Sequence, residues 1–195
     1  IQKVKEFRLA KDSEVTKKLG QTPLLFHLNV LPTAPFLVVP QCSSVKREYI
    51  PIAWLEPPII PSDKLRIILN AKKYIFSILV SSMHMSWVRH IGGRIKSDFQ
   101  YSVHILYNNF PLPKNLDNHI NKLNFSADEI LKERNKFYPN VSYADLYDPI
   151  SMPTELKKSH IKNDKLVEKI YRKKHFESDL ERAEYLLNLY EKLYC

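Results

Sequence analysis

Apolar positions along this chain follow two patterns. Up to residue 113 they come mostly as short runs bounded by prolines, and beyond it they recur at helical spacing. Residues 1–9 alternate imperfectly and are expected as a strand. Asp12 and Ser13 can cap a short helix that ends near Gly20, and Thr22 and Pro23 break it. The runs at 24–31, 36–40, 49–55 and 64–69 are expected as strands, with Pro57, Pro58 and Pro61 between the last two. From Lys114 on, Leu116, Ile120, Leu123, Ile130 and Leu131 share a helical face. Residues 142–146 suit one more turn, and a further helix starts near Pro153 and runs to about Tyr171. Ser178 followed by Glu181 has the form of a capping box for a last helix, with Leu180, Ala183, Leu186, Leu187, Tyr190 and Leu193 as its apolar stripe. The expected fold class is α+β. A small mixed or antiparallel sheet carries a long buried helix, and a C-terminal helical region follows. The prolines around residue 113 divide the chain into 1–113 and 114–195.

The central stretch is 70–113. Ile75, Ile78, Leu79, Ser82, Met83, Trp87, Val88 and Ile91 predict one apolar helix over 70–91. Gly92 and Gly93, two of only three glycines in the chain, are expected to end it in left-handed conformations. A dense polar run follows: Arg94, Lys96, Ser97, Asp98, Gln100 and Tyr101. A buried helix ahead of such a run is a rigid support for a recognition site. Residues 101–107 are expected to return as a strand. Asn108, Asn109, Phe110 and Pro111 are assigned a structural role, Asn for a turn and Phe110 for burial.

Charge narrows the choice of partner. The net charge is +9. Residues 1–113 hold 15 Lys and Arg against 7 Asp and Glu, so nearly all the excess lies there. A basic surface of this kind suits a polyanion, and nucleic acid is the first candidate. No apolar run is long enough to span a membrane, and residues 1–14 have no signal-peptide core. The two cysteines give no disulfide framework and no metal spacing, which fits a reduced, cytoplasmic setting. Ile1 is not a start residue, and the chain is read as a piece of something longer.

No catalytic or metal-binding set is read from the sequence. The seven histidines are scattered, and His84 is assigned to packing. A DNA methyltransferase needs a glycine-bearing loop for S-adenosylmethionine and a (Asn/Asp/Ser)-Pro-Pro-aromatic motif. Gly20, Gly92 and Gly93 cannot build such a loop. Glu56-Pro57-Pro58-Ile59 and Tyr147-Asp148-Pro149-Ile150 resemble the motif loosely and are read as turns.

Recognition chemistry is present. Lys donates to guanine, Gln pairs with adenine and Asp accepts from the cytosine amino group. Lys96, Asp98 and Gln100 face one way if this segment is extended. A Lys beside an Asp can then address both halves of one G·C pair. The alternative is that the two form only a solvent-exposed ion pair. Phosphate anchoring would fall to Lys46, Arg47, Lys72, Lys73, Arg89 and Arg94, with hydroxyl contacts from Ser43 and Ser44. Arg94 has an equal claim to tying the loop to the helix end. Lys157, Lys158, Lys162 and Lys165 are assigned to a solvated helix face.

The segments SSMHMSWVRHIGGRIKSDFQYS and LYNNFPLP resemble the target-recognition region of the MmeI-type (type IIL) restriction–modification enzymes and related class I DNA methyltransferases. The likeness extends through EFRLAKDSE, TPLLFHL and SSVKREYIPIAWL, and downstream through YADLYDPISMPTELKKSHIKNDKLVEKIY. It implies a sequence-specific DNA recognition module lacking the catalytic motifs. The parent would be an adenine methyltransferase using S-adenosylmethionine, with or without endonuclease activity. The implied partners are double-stranded DNA and the parent's methyltransferase domain. In that family the positions matching Lys96 and Asp98 help to set which base pair is read, and the position matching Lys64 is a further specificity position. The alternative from a different class is a protein–protein interaction module with a basic face.

Overall fold

The structure, a computed structural model, describes residues 1–25 and 32–194. The chain forms two compact units, residues 1–31 and 32–195. In the first, α1 (Gln2–Leu9) and α2 (Glu14–Leu19) form a helical pair. Ser13 caps α2 as expected, its hydroxyl accepting the Thr16 N–H at 3.4 Å. Residues 1–9 are a helix and not the expected strand. The unit offers no strand partner among its described residues, so the backbone bonds within itself. Arg8 joins the two helices by donating to the carbonyls of Leu19, Thr22 and Leu25. Leu24 and Leu25 lie in a turn, and the rest of the strand expected at 24–31 falls outside the described residues.

The second unit is α+β. Strands β1 (Phe36–Pro40), β3 (Ala53–Leu55) and β4 (Leu65–Ile68) make an antiparallel sheet with β1 at its centre. The strand expected over 49–55 is shortened. Pro51 sits inside a tight turn in which the Ile52 N–H reaches the Ile50 carbonyl at 2.8 Å. Strands β2 (Cys42–Ser43), β5 (Gly93–Ile95) and β6 (Asp98–Gln100) make a second antiparallel sheet, ordered β2-β6-β5.

The helix expected over 70–91 is two helices, α3 (Lys73–Leu79) and α4 (Ser82–Ile91). The Ser81 hydroxyl donates to the Ile78 carbonyl at 2.7 Å, which closes α3. The Asp164 carboxylate accepts the Ser82 N–H at 2.7 Å, which opens α4 with a cap from a distant segment. The other Asp164 oxygen accepts from the Tyr49 hydroxyl at 2.6 Å, and burial raises the Asp164 pKa to about 6. Neither Gly92 nor Gly93 is left-handed. Gly92 is extended, and a Cβ there would lie 2.4 Å from the Val88 carbonyl oxygen, so close approach is what demands glycine.

Residues 103–107 form a wide helical turn and not a strand. The Ser102 carbonyl accepts from the Leu106 N–H at 2.8 Å, and the Asn108 N–H reaches Val103 at 2.9 Å.

Helices α5 (Ile120–Asn135), α6 (Tyr143–Leu146), α7 (Thr154–Tyr171) and α8 (Asp179–Tyr194) follow. Ser178 accepts the Glu181 N–H at 3.1 Å, and Glu181 reaches back to the Glu177 N–H at 2.6 Å. Residues on both sides of 113 share one core, among them Leu37, Phe76, Trp87, Leu123, Ile130 and Leu186.

A buried polar chain crosses that core. Arg134 is fully buried and donates to the Ile52 carbonyl and the Tyr147 hydroxyl. Its guanidinium lies over Phe76, Tyr143 and Tyr147, at 5.0, 5.5 and 4.8 Å. The Tyr147 hydroxyl contacts His160 Nε2 at 2.7 Å, and His160 Nδ1 contacts the Val80 carbonyl at 3.3 Å. One assignment satisfies every contact: neutral His160 donates to Val80 and accepts from Tyr147. Burial lowers the His160 pKa accordingly.

Candidate functional site

The polar run after α4 folds back on itself. Gly93 pairs with Gln100, Arg94 with Phe99 and Ile95 with Asp98, which leaves Lys96 and Ser97 as a two-residue turn. Lys96 has φ 55, left-handed and uncommon for a lysine. The single extended face expected for Lys96, Asp98 and Gln100 is therefore not formed. Asp98 and Gln100 share one face of β6, while Lys96 projects from the tip. Lys96 and Asp98 are exposed and Gln100 is half-buried.

Arg94 and Phe99 fix the hairpin to its support. Phe99 is buried, and the Arg94 guanidinium lies 4.1 Å over its ring. Arg94 also donates to the Arg89 carbonyl in the last turn of α4, at 3.0 Å. Its contacts are those of a residue tying the loop to the helix end. His84 supports the same region from within. Its Nδ1 donates to the Leu79 carbonyl at 2.8 Å and its Nε2 accepts from Tyr101 at 3.0 Å, and burial lowers its pKa to about 4. It is a packed, neutral histidine, as expected.

A second segment abuts the hairpin. Ser44 to Arg47 is a β-turn, closed by the Arg47 N–H on the Ser44 carbonyl at 3.1 Å. The Ser44 hydroxyl accepts the Lys46 N–H at 3.3 Å. The Val45 N–H donates to Asp98 Oδ1 at 3.2 Å. Among the described residues neither Lys96 nor Asp98 enters an ion pair, so the solvent-exposed pair considered above is not formed. The sequence gives no hint of the Val45 contact, because a backbone amide has no residue signature.

Lys64 joins the same surface through Gln41. The Gln41 N–H donates to the Lys64 carbonyl at 2.9 Å, and its own carbonyl accepts from the Tyr101 N–H at 2.8 Å. Gln41 thus links the start of β4 to the end of β6. The exposed Lys64 ammonium pairs with Asp63 at 3.4 Å.

The expected phosphate contacts divide by what each side chain already holds. Lys46 and Lys72 are exposed and enter no ion pair among the described residues. Arg47 is half-buried and donates to the Ala144 carbonyl at 3.3 Å. Lys73 is paired with Asp128 of α5. Arg89 is paired with Asp179 at 2.8 Å and donates to the Glu48 carbonyl at 3.0 Å. Ser43 is buried beside Phe99 in the β2–β6 pairing, which corrects its expected surface role; Ser44 is half-buried within its turn. The geometry places Lys96 at the hairpin tip with Asp98 next to it, Lys46 in the turn whose Val45 N–H meets Asp98, and Gln100 farther along the same face of β6, with Lys64 linked through Gln41.

Both methyltransferase-like fragments are turns, as read. The Ile59 N–H reaches the Glu56 carbonyl at 3.3 Å, and the Asp148 carboxylate accepts the Ile150 N–H at 2.9 Å. Among the described residues no helix is long and apolar enough to cross a membrane.

Comparison with known proteins bears on this geometry. Residues 1–114 match the family described as "MmeI, target recognition domain", and residues 115–195 match "MmeI, C-terminal domain". The chain is 41% identical over 178 residues to DNA methyltransferase A of Bacillus subtilis (strain 168), which covers 91% of this chain and 20% of that protein. A solved chain of the type IIL restriction–modification enzyme MmeI in complex with DNA matches with a TM-score of 0.88 and 37% identity, covering 98% of this chain and 25% of that one. The chain thus spans a fifth to a quarter of the length of these relatives.

Proposed function

We infer, from the premise that this chain belongs to the MmeI family through its target recognition and C-terminal domains, that it is a sequence-specific DNA recognition module. The observation that carries this reading is the hairpin tip. Lys96 and Asp98 are exposed, close in sequence and uncommitted to each other, on a hairpin fixed to α4 by Arg94 and Phe99. Lys96 donates to guanine and Asp98 accepts from the paired cytosine in the major groove. Gln100 and Lys64 read neighbouring positions, and Lys46 and Lys72 hold phosphates. Arg47, Lys73, Arg89 and Arg94 serve the recognition surface through the contacts they already make.

In this reading residues 1–113 are the reader and residues 114–195 the helical part that follows it in the chain. The whole protein is a cytoplasmic DNA adenine methyltransferase that uses S-adenosylmethionine in a domain outside this chain. Similarity to a DNA methyltransferase of which the match covers 20% supports a methyltransferase parent.

Electrophoretic mobility shift of the chain on random duplex, over a series of salt concentrations, tests the reading. Each neutralised phosphate contributes a slope of about −0.9 in log K against log salt. A slope of about −2 or steeper is expected, and absence of any shift at low salt overturns the reading.

A further inference from the structure

We propose that the backbone N–H of Val45 is a positioning group for base reading: it occupies one oxygen of Asp98 and so fixes which oxygen faces the DNA. The inference rests on the DNA-reading function above. The contact spans 53 residues of sequence and extends the pairing of β2 with β6 beyond Ser43 and Phe99 through a side chain. The Asp98 side chain is exposed and has no cation held against it among the described residues, so without this bond it rotates freely. With the bond made, Oδ1 is turned toward Val45 and Oδ2, which has no partner among the described residues, is the oxygen presented to a cytosine amino group.

The turn that supplies the donor is built to hold still. Arg47 closes it through the Ser44 carbonyl, the Ser44 hydroxyl takes the Lys46 N–H, and the Arg47 side chain fastens it to the Ala144 carbonyl. Asp98 itself sits in a strand paired to Ile95. Donor and acceptor are thus both on anchored backbone, and one hydrogen bond sets a side-chain rotation.

Val45 holds the second position of its β-turn, where proline is favoured. Val45→Pro therefore removes the N–H and leaves the turn standing, while Val45→Ala keeps the N–H. The affinities to compare are those for duplexes that differ only at the pair read by Asp98, identified as the pair at which Asp98→Ala loses discrimination. Val45→Pro is expected to lower discrimination there roughly fivefold, the worth of one lost hydrogen bond. Val45→Ala is expected to match the native chain, and all three proteins should share one salt slope on random duplex. Undiminished discrimination by Val45→Pro overturns the proposal.

Asp98→Asn gives an independent test that does not depend on how proline is tolerated. If Val45 holds the amide oxygen, the NH₂ group must face the DNA. Preference then moves from cytosine, which offers a donor, to thymine, which offers the O4 acceptor. If Asp98→Asn reads cytosine as the native residue does, the side chain is free to flip and the proposal fails. A native chain that shows no duplex binding defeats the DNA-reading function itself. Native discrimination that survives Val45→Pro defeats only the positioning role.

Discussion

Under the proposed reading, Lys96→Asp combined with Asp98→Lys is expected to invert the preferred base pair from G·C to C·G. Each good side-chain to base-edge pairing discriminates by about 1–3 kcal/mol, so a native preference of about tenfold becomes a reverse preference, a swing approaching a hundredfold. The backbone accepts the exchange. Position 96 is left-handed, and aspartate tolerates that conformation better than lysine. The reversed preference should nonetheless be weaker than the native one, because a lysine at 98 cannot accept the Val45 N–H. Competition binding among duplexes carrying each of the four pairs measures the effect. Lys96→Ala and Asp98→Ala separately should relax discrimination without inverting it. A double exchange that alters binding to another protein, with no change in DNA preference, favours the protein–protein reading instead.

The largest expected loss of stability comes from Arg134→Ala. Arg134 links α5 to the segment leading into β3 and to Tyr147, which in turn reaches His160 on α7. Truncation leaves a cavity among Phe76, Tyr143 and Tyr147, and strips the Ile52 carbonyl of its donor. Together these cost about 3–5 kcal/mol. Among the described residues no carboxylate pairs with Arg134, and three aromatic faces lie against its guanidinium instead. Arg134→Met refills most of the volume and removes a buried charge, so it should cost less than about 2 kcal/mol. Urea unfolding followed by circular dichroism separates the two. Equal losses for both variants would mean that the guanidinium's hydrogen bonds, and not the filled volume, hold the site.

The parts of the fold legible in the sequence are those governed by local rules. Phe36 to Pro40 is a short apolar run bounded by proline, the stretch from Lys64 to Leu69 starts as an alternation of polar and apolar residues, and both hold strands. Ser13 and Ser178 carry cap signals, and both cap helices. The misreadings have tertiary causes. Apolar spacing from Ile75 to Ile91 is continuous, yet the helix breaks because Asp164, 82 residues from Ser82, supplies a cap there. Residues 101–107 look like a strand by composition, but Ser102 folds them into a helical turn.

The candidate site divides along the same line. That Lys96 and Asp98 are exposed in a polar run was readable. That Lys96 is a turn residue was not, since neither Lys96 nor Ser97 carries a turn signature. Cations such as Arg89 and Lys73 look available in sequence, but their partners Asp179 and Asp128 lie 90 and 55 residues away. The Gln41 bridge that draws Lys64 toward β6 is made entirely by backbone atoms.

Dimethyl sulfate protection of guanine N7 tests most directly whether the hairpin tip enters the major groove. The duplex is one selected by the native chain from a randomised pool, and the native chain is compared with Lys96→Ala, both at saturation. The expected result is a set of guanines protected by the native chain, of which a single one regains reactivity with Lys96→Ala while the others stay covered. Identical protection patterns for the two proteins would contradict the account.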